Sequence, residues 1–479
     1  MPVIFPSTKF CPAMSETDRA ATPLDRLAQF AATTKYDHLP ADVTAKAKIH
    51  ILDTLGAALA GTCSREFAMV EAIFGTGSDT GPLVWGSGRR VSPREAAFAN
   101  GVAAHAFELD DTGGLDHSGA VVLPAVIAGL SLTEGPVDGK ALVASVVVGY
   151  EIGRRVLEAA GGYDRHNGLG WHSTGTCGPM AAAAALANLW RLPSAACADA
   201  IALSTSFSSG LWAFIHDGSQ AKKLHAGRAA EGGMLAALLA RDGFAGPSKV
   251  FDDVWGGFFR SFNHEAGDPK KLVEGLGRDF KIRRVSLKPY AACRGVHSAI
   301  DCVADILGET GRAARTIARI DVRLSQLLMN MCGGREVESL AAAQMSLPFS
   351  LATYCVNGEA GLTAYAAAHR QSPAVAAILD RIALDVGPAM MPLDEPTVTL
   401  HFDDGTTIAR MVPRPTGAPE RPMSEAAIAA KFDPLAAMAL DREAVSALSD
   451  RLARLEEVAD CAALEAMLVG AADRRAVFV

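Results

Sequence analysis

Between Pro23 and about Arg241 the chain is written mostly in Ala, Leu and Gly, with apolar residues at helical spacing through Ala45–Ala60, Pro93–Leu109 and Lys140–Ala160. Such a run predicts packed helices of roughly 12 to 20 residues. The punctuation agrees. Pro93 and Pro179 suit first-turn positions, and Gly61, Gly161 and Gly243 suit helix ends.

The texture changes after about Asp279. Lys281–Leu287 alternates, Thr316–Leu324 contains IARIDVRL, and Thr397–Met411 contains VTLHFDDGTTIARM, two alternating runs around an Asp404-Gly405 turn. These segments predict strands, with helices near Val296–Leu307 and Pro348–Asn357 between them. Beyond Pro422 helical spacing returns, through Met423–Phe432 and Asp441–Val469. The expected fold is mainly α. A large helical domain is built from both chain ends (15–283 and 414–479), an α+β domain is inserted at 284–413, and residues 1–14 form a disordered extension.

Composition narrows the function. With 49% hydrophobic and 20% charged residues the profile is globular, and a net charge of −8 implies no surface for a phosphate backbone or an anionic membrane. No apolar run approaches the roughly 20 residues of a bilayer span, and the amino terminus lacks a basic-then-apolar signal pattern, so a cytoplasmic protein is expected. The nine cysteines include no C-x-x-C pair and read as buried thiols. No metal or other cofactor is expected. Phosphate-loop, dinucleotide, zinc-protease and serine-hydrolase signatures are all missing.

Four polar clusters stand out from the apolar background. The first, His105-Ala-Phe-Glu108-Leu-Asp110-Asp111-Thr112 continuing to Asp116-His117-Ser118, falls in a loop between two apolar helices. It suits acid/base chemistry, or helix-end capping by Asp111 and Thr112; His105 reads as a packed histidine. The second, Trp171-His172-Ser173-Thr174, opens an apolar helix, where free amides and the dipole suit a carboxylate or a plain cap. The third holds Lys222, Lys223 and His225 at another helix start. A cation there is disfavoured, which predicts a Lys222 pKa drawn down toward that of a useful base. In the fourth, Lys288 precedes a proline and projects from an extended backbone.

In this order, ILDTLGAALAG at 51–61, the ELDDT loop with HSGAVVLPA at 117–125, GWHSTGTCG at 170–178, AKKLHAG at 221–227 and LKPYAACRGVHSAID at 287–301 resemble the MmgE/PrpD family over nearly the whole chain. The family includes 2-methylcitrate dehydratase, cis-aconitate decarboxylase and iminodisuccinate epimerase. The resemblance implies a smaller lid domain on the helical one, a homodimer, and a small di- or tricarboxylate substrate that loses a proton beside a carboxylate. It implies His117 and His172 in proton transfer, Lys222 as base or charge stabiliser, and Glu108 in orientation or proton relay. Substrate binding falls to Thr112 and Lys288, with Ser173 and His225 beside them. Dehydration is the expected reaction, epimerisation the alternative, and polycarboxylate binding without turnover the third reading. Two departures argue against itaconate formation from cis-aconitate: a shortened loop between Thr112 and His117, and Phe349 in SLPFSLA where a proton-donating tyrosine is expected at the pocket wall.

Overall fold

The computed structural model describes residues 21–74, 77, 79–264 and 267–470; the expected extension at 1–14 lies outside them. The helices of the first region include α1 (Ala41–Gly61), α2 (Pro93–His105), α3 (Gly119–Leu130), α4 (Gly139–Ala159), α5 (Ser173–Leu189) and α6 (Ala221–Arg241). Ser92 starts α2 with a capping box that includes Glu95, and Pro93 follows in the first turn. Every residue of α3 is buried and nearly every one of α5, as helices apolar on all sides must be.

Pro179 sits inside α5 rather than in its first turn. The Gly175 carbonyl that a proline cannot serve accepts the Ser209 N–H at 3.1 Å instead, so the helix continues.

Small residues set how the site is assembled. A Cβ on Gly101 of α2 would lie 2.8 Å from the Gly227 Cα of α6, so the two backbones cross in near contact. That crossing brings the carboxyl end of α2 beside the amino end of α6. The helix predicted to reach Leu109 stops at His105. Just beyond, Glu108 adopts φ 56°, a left-handed conformation that turns the chain toward α6 at a cost of order 1 to 2 kcal/mol.

The second region holds α7 (His297–Thr310), β1 (Ile317–Leu324), α8 (Leu347–Asn357), β2 (Ile382–Val386), β3 (Thr397–Phe402) and β4 (Thr407–Met411). The sheet order is β2-β1-β3-β4, with β1 and β2 parallel and the β3–β4 hairpin antiparallel. The strand expected at Lys281–Leu287 is instead a 3-10 turn, Lys281–Arg284. Its backbone has no neighbouring strand there; the Lys281 N–H goes to the Glu151 carboxylate at 2.6 Å, and only Ser286 bridges, to Thr112.

The last long helices are α9 (Glu425–Ala436) and α10 (Arg442–Ala453). The helix predicted over Asp441–Val469 breaks after α10 into a 3-10 turn, Leu455–Glu457, and a short helix, Ala462–Met467; between them the Val458 carbonyl accepts the Gly139 N–H at the start of α4 and the Cys461 N–H donates to the Val137 carbonyl. Two apolar clusters result. One joins residues between Leu24 and Val285 to Phe432–Leu468. The other packs α7, α8 and the sheet against Ala57, Ala60, Ala106, Phe107, Leu109 and Trp212. No helix is long and apolar enough to cross a membrane among the described residues.

Candidate active site

The loop after α2 lies where the two clusters meet, and each acid in it has a separate task. Glu108 is buried and accepts hydrogen bonds from the ammonium groups of Lys222 at 2.7 Å, Lys223 at 2.8 Å and Lys288 at 3.3 Å. Burial opposes its charge, but three cations hold its pKa well below the usual carboxylate range. Burial likewise disfavours the Lys222 ammonium, and the Glu108 carboxylate outweighs it, raising that pKa. This reverses the expectation of a lowered Lys222: the helix-end penalty is small beside a carboxylate in direct contact. Lys223 shares the carboxylate, and burial brings its pKa below the ordinary lysine value. Three lysines around one carboxylate leave the cluster positive.

Asp110 accepts from Nδ1 of His105 at 3.0 Å and lies 3.0 Å from Nδ1 of His117. The same His117 nitrogen donates to the Asp111 carbonyl at 2.9 Å, so Nε2 is the nitrogen left for chemistry, 3.7 Å from Asp116. Burial would neutralise His117, but Asp116 and Asp110 outweigh it and raise its pKa. Asp111 has a scaffold role, accepting from Tyr150 at 2.5 Å and from the Gly119 N–H at 3.0 Å.

His172 and His225 are both neutral. Burial lowers them to about 3 and about 4, and their Nδ1 atoms lie 2.9 Å apart, which requires that one donate to the other. With His225 as donor, His172 turns Nε2–H toward Asp116 at 3.4 Å.

A cavity of about 250 Å³ opens onto this cluster, lined by Thr112, Asp116, His117, Arg154, Trp212, Lys222, Cys293 and Arg294, with Pro392–Glu395 among its other walls. His105, Glu108 and His117, and also Asp116, His117 and His172, have ligand atoms within 4.8 Å of one another. In the first of these sets Glu108 is already engaged by three lysines.

Residues 25–269 match the MmgE/PrpD N-terminal domain and residues 290–456 the MmgE/PrpD C-terminal domain. The chain belongs to the MmgE/PrpD family. It is 30% identical over 465 residues to the cis-aconitate decarboxylase-like protein oryM of Aspergillus oryzae, an alignment covering 91% of this chain and 95% of that protein. Identity is 28% to the cis-aconitate decarboxylase of Aspergillus terreus, over 90% and 93% of the two chains. For that of Homo sapiens it is 27%, over 91% and 92%.

In this MmgE/PrpD chain the eight residues singled out from sequence do not all reach the cavity. Thr112, His117 and Lys222 line it. Glu108 and Lys288 stand behind Lys222, and His172 stands behind Asp116, backed by His225. Ser173 departs most from its expected role: its N–H and hydroxyl are engaged by Asn167, so the amino end of α5 is closed by a protein acceptor. Phe349 is not a wall of the cavity. It is fully buried in the second apolar cluster, 5.6 Å from the Tyr365 ring, because α8 turns that face toward its own core.

Sequence reasoning left out Asp110, Asp116 and Lys223. The two aspartates lay within a cluster already recognised, and their tasks follow only from which histidine nitrogen each meets. Lys223 was hidden by its neighbour: adjacent helical residues point about 100° apart, yet Glu108 reaches both.

Proposed function

We propose that this chain is a cofactor-independent lyase that removes one carboxylate, as carbon dioxide, from a small tricarboxylate of the cis-aconitate type. The observation that carries the reading is His117: a cavity-lining imidazole with its pKa raised, its Nδ1–H engaged by Asp110 and the Asp111 carbonyl, and its Nε2 turned to Asp116 at 3.7 Å. Loss of carbon dioxide leaves the electron pair of the broken carbon–carbon bond on the substrate, and His117 supplies the proton that captures it. Lys222 sits beside it as a fixed cation that stabilises negative charge developing on a carboxylate. The first step needs no base.

The same cluster is less suited to the expected dehydration. Elimination of water requires a base for the C–H proton, and Asp116, the cavity-lining acid that faces His117 Nε2 at 3.7 Å, is held far below the ordinary aspartate pKa by His117 and His172 despite burial. Epimerisation needs groups on two faces of one carbon, yet His172 stands behind Asp116 and Lys222 is held charged. With Phe349 away from the cavity, one of the two grounds for expecting little itaconate falls. The relatives named above as cis-aconitate decarboxylases support the substrate class.

Incubation of the purified protein with cis-aconitate, citrate and 2-methylcitrate, followed by proton NMR and carbon dioxide capture, tests this reading. Itaconate and carbon dioxide in equal amounts from cis-aconitate are expected. Alkene formation from citrate or 2-methylcitrate without carbon dioxide would replace decarboxylation by dehydration, and binding without any conversion would leave a non-catalytic paralogue.

A further inference from the structure

The cavity carries a cation that the proton-transfer chemistry does not use. Arg294 opens a short 3-10 turn, Arg294–Val296, that leads into α7, and it lines the cavity. The turn is rigidly seated: a Cβ at Gly295 would lie 2.7 Å from Leu328 Cδ1, and Leu328 is itself part of the wall. In the free protein the Arg294 guanidinium is paired with Glu395 at 2.6 Å.

Glu395 comes from the β2–β3 connection, where Pro392, Leu393 and Asp394 also face the cavity. Part of that stretch is exposed. Met391 and Leu393 are 66% and 56% exposed, and a Ser325 hydroxyl bond to the Pro392 carbonyl at 2.8 Å ties it to the second region. The Arg294 and Glu395 side chains are 33% and 13% exposed, so the pair stands at the edge of the cavity, within reach of solvent. A carboxylate entering from solvent therefore meets a guanidinium already holding a carboxylate, on a fixed turn, with the competing acid on a partly exposed loop. The planar fork of an arginine accepts either carboxylate in the same geometry.

We propose that Arg294 receives a non-reacting carboxylate of the substrate, and that Glu395 occupies it in the free protein as an internal substitute which the substrate displaces. The inference rests on the polycarboxylate reading and deepens it, because it assigns the discrimination between three carboxylates and two. A tricarboxylate displaces Glu395 and gains the arginine. A dicarboxylate that fills the sites near His117 and Lys222 leaves the Arg294–Glu395 pair in place.

The test uses two acids with one carbon chain: tricarballylate, and glutarate, which lacks the central carboxylate. Their dissociation constants are measured by calorimetry for the wild type, Arg294→Gln and Glu395→Gln, with thermal melts as a check on folding. Expected are preference for tricarballylate in the wild type, a loss of that affinity of roughly 10- to 100-fold in Arg294→Gln with glutarate little changed, and a gain of about 3- to 10-fold for tricarballylate in Glu395→Gln. Turnover of cis-aconitate by Arg294→Gln should show a raised KM at nearly constant kcat. Equal weakening toward both acids in Arg294→Gln, or no gain in Glu395→Gln, would overturn the proposal and leave a structural ion pair. A wild type that binds neither acid would overturn the polycarboxylate reading and this proposal with it. A wild type that turns over cis-aconitate while Arg294→Gln keeps full selectivity would overturn the proposal alone.

Discussion

Replacing Glu108 by Gln keeps the size of the side chain and removes the charge that three buried ammonium groups share. Lys222, Lys223 and Lys288 are each at most 5% exposed and lie 2.7, 2.8 and 3.3 Å from that carboxylate. Breaking one buried ion pair costs about 3 to 5 kcal/mol, because the partner left behind keeps its desolvation penalty. For a chain of this size the loss corresponds to a fall in melting temperature of roughly 3 to 5 °C at pH 7. The pH dependence identifies the cause. Glu108 has a lowered folded pKa, so its contribution is present above the ordinary value of 4.5 and is lost as pH falls through the folded one. Lys222 has a raised folded pKa, so its contribution is present below the ordinary 10.5 and is lost as pH rises through the folded one. In Glu108→Gln burial acts on the lysines unopposed and they release protons on folding. The deficit relative to wild type should then narrow as pH rises from 7 to 9.5, by up to about 1.4 kcal/mol per pH unit for each lysine that titrates. Urea unfolding of both proteins across this range measures it. A deficit below about 1 kcal/mol, or one that does not change with pH, would refute the claim that Glu108 holds the buried ammonium groups in their charged form.

Other consequences are checked by simpler assays. His117→Gln should lower turnover by about 100- to 10,000-fold with the fold intact by circular dichroism. Since His117 acts as an acid with a raised pKa, wild-type turnover should be lost on the alkaline side, above the ordinary histidine value of 6.5, and Asp110→Asn should move that limb to lower pH. Treatment with a strong chelator should leave turnover unchanged; loss of activity restored by one metal ion would recast Asp116, His117 and His172 as ligands. Phe349→Tyr should leave the product distribution alone and cost about 1 to 3 kcal/mol in stability, because it buries a hydroxyl in an apolar cluster.

Periodicity alone marks the long helices and the hairpin. α1, α2 and α4 lie within a few residues of the segments predicted for them, and the Asp404-Gly405 turn joins β3 to β4. Failures came where a distant partner decided. Lys281–Leu287 alternates like a strand but meets Glu151 rather than a sheet edge. Pro179 reads as a helix start, yet Ser209 completes the bond it lacks. The site shows the same division. Residue types and order singled out His117, Lys222 and Glu108, whereas the charge on Lys222 depended on a carboxylate 114 positions away. Likewise Ser173 looked free to hold a substrate until Asn167 was seen to close that helix end.

The central claim is that carbon dioxide leaves first and His117 returns the proton. Single-turnover reaction of the wild type with cis-aconitate in deuterium oxide, followed by NMR and compared with His117→Gln, tests it most directly. One solvent deuteron is expected in each product molecule, with no deuterium in recovered cis-aconitate and loss of product formation in the variant. Deuterium accumulating in unreacted substrate, or carbon dioxide release at the wild-type rate from His117→Gln, would contradict it.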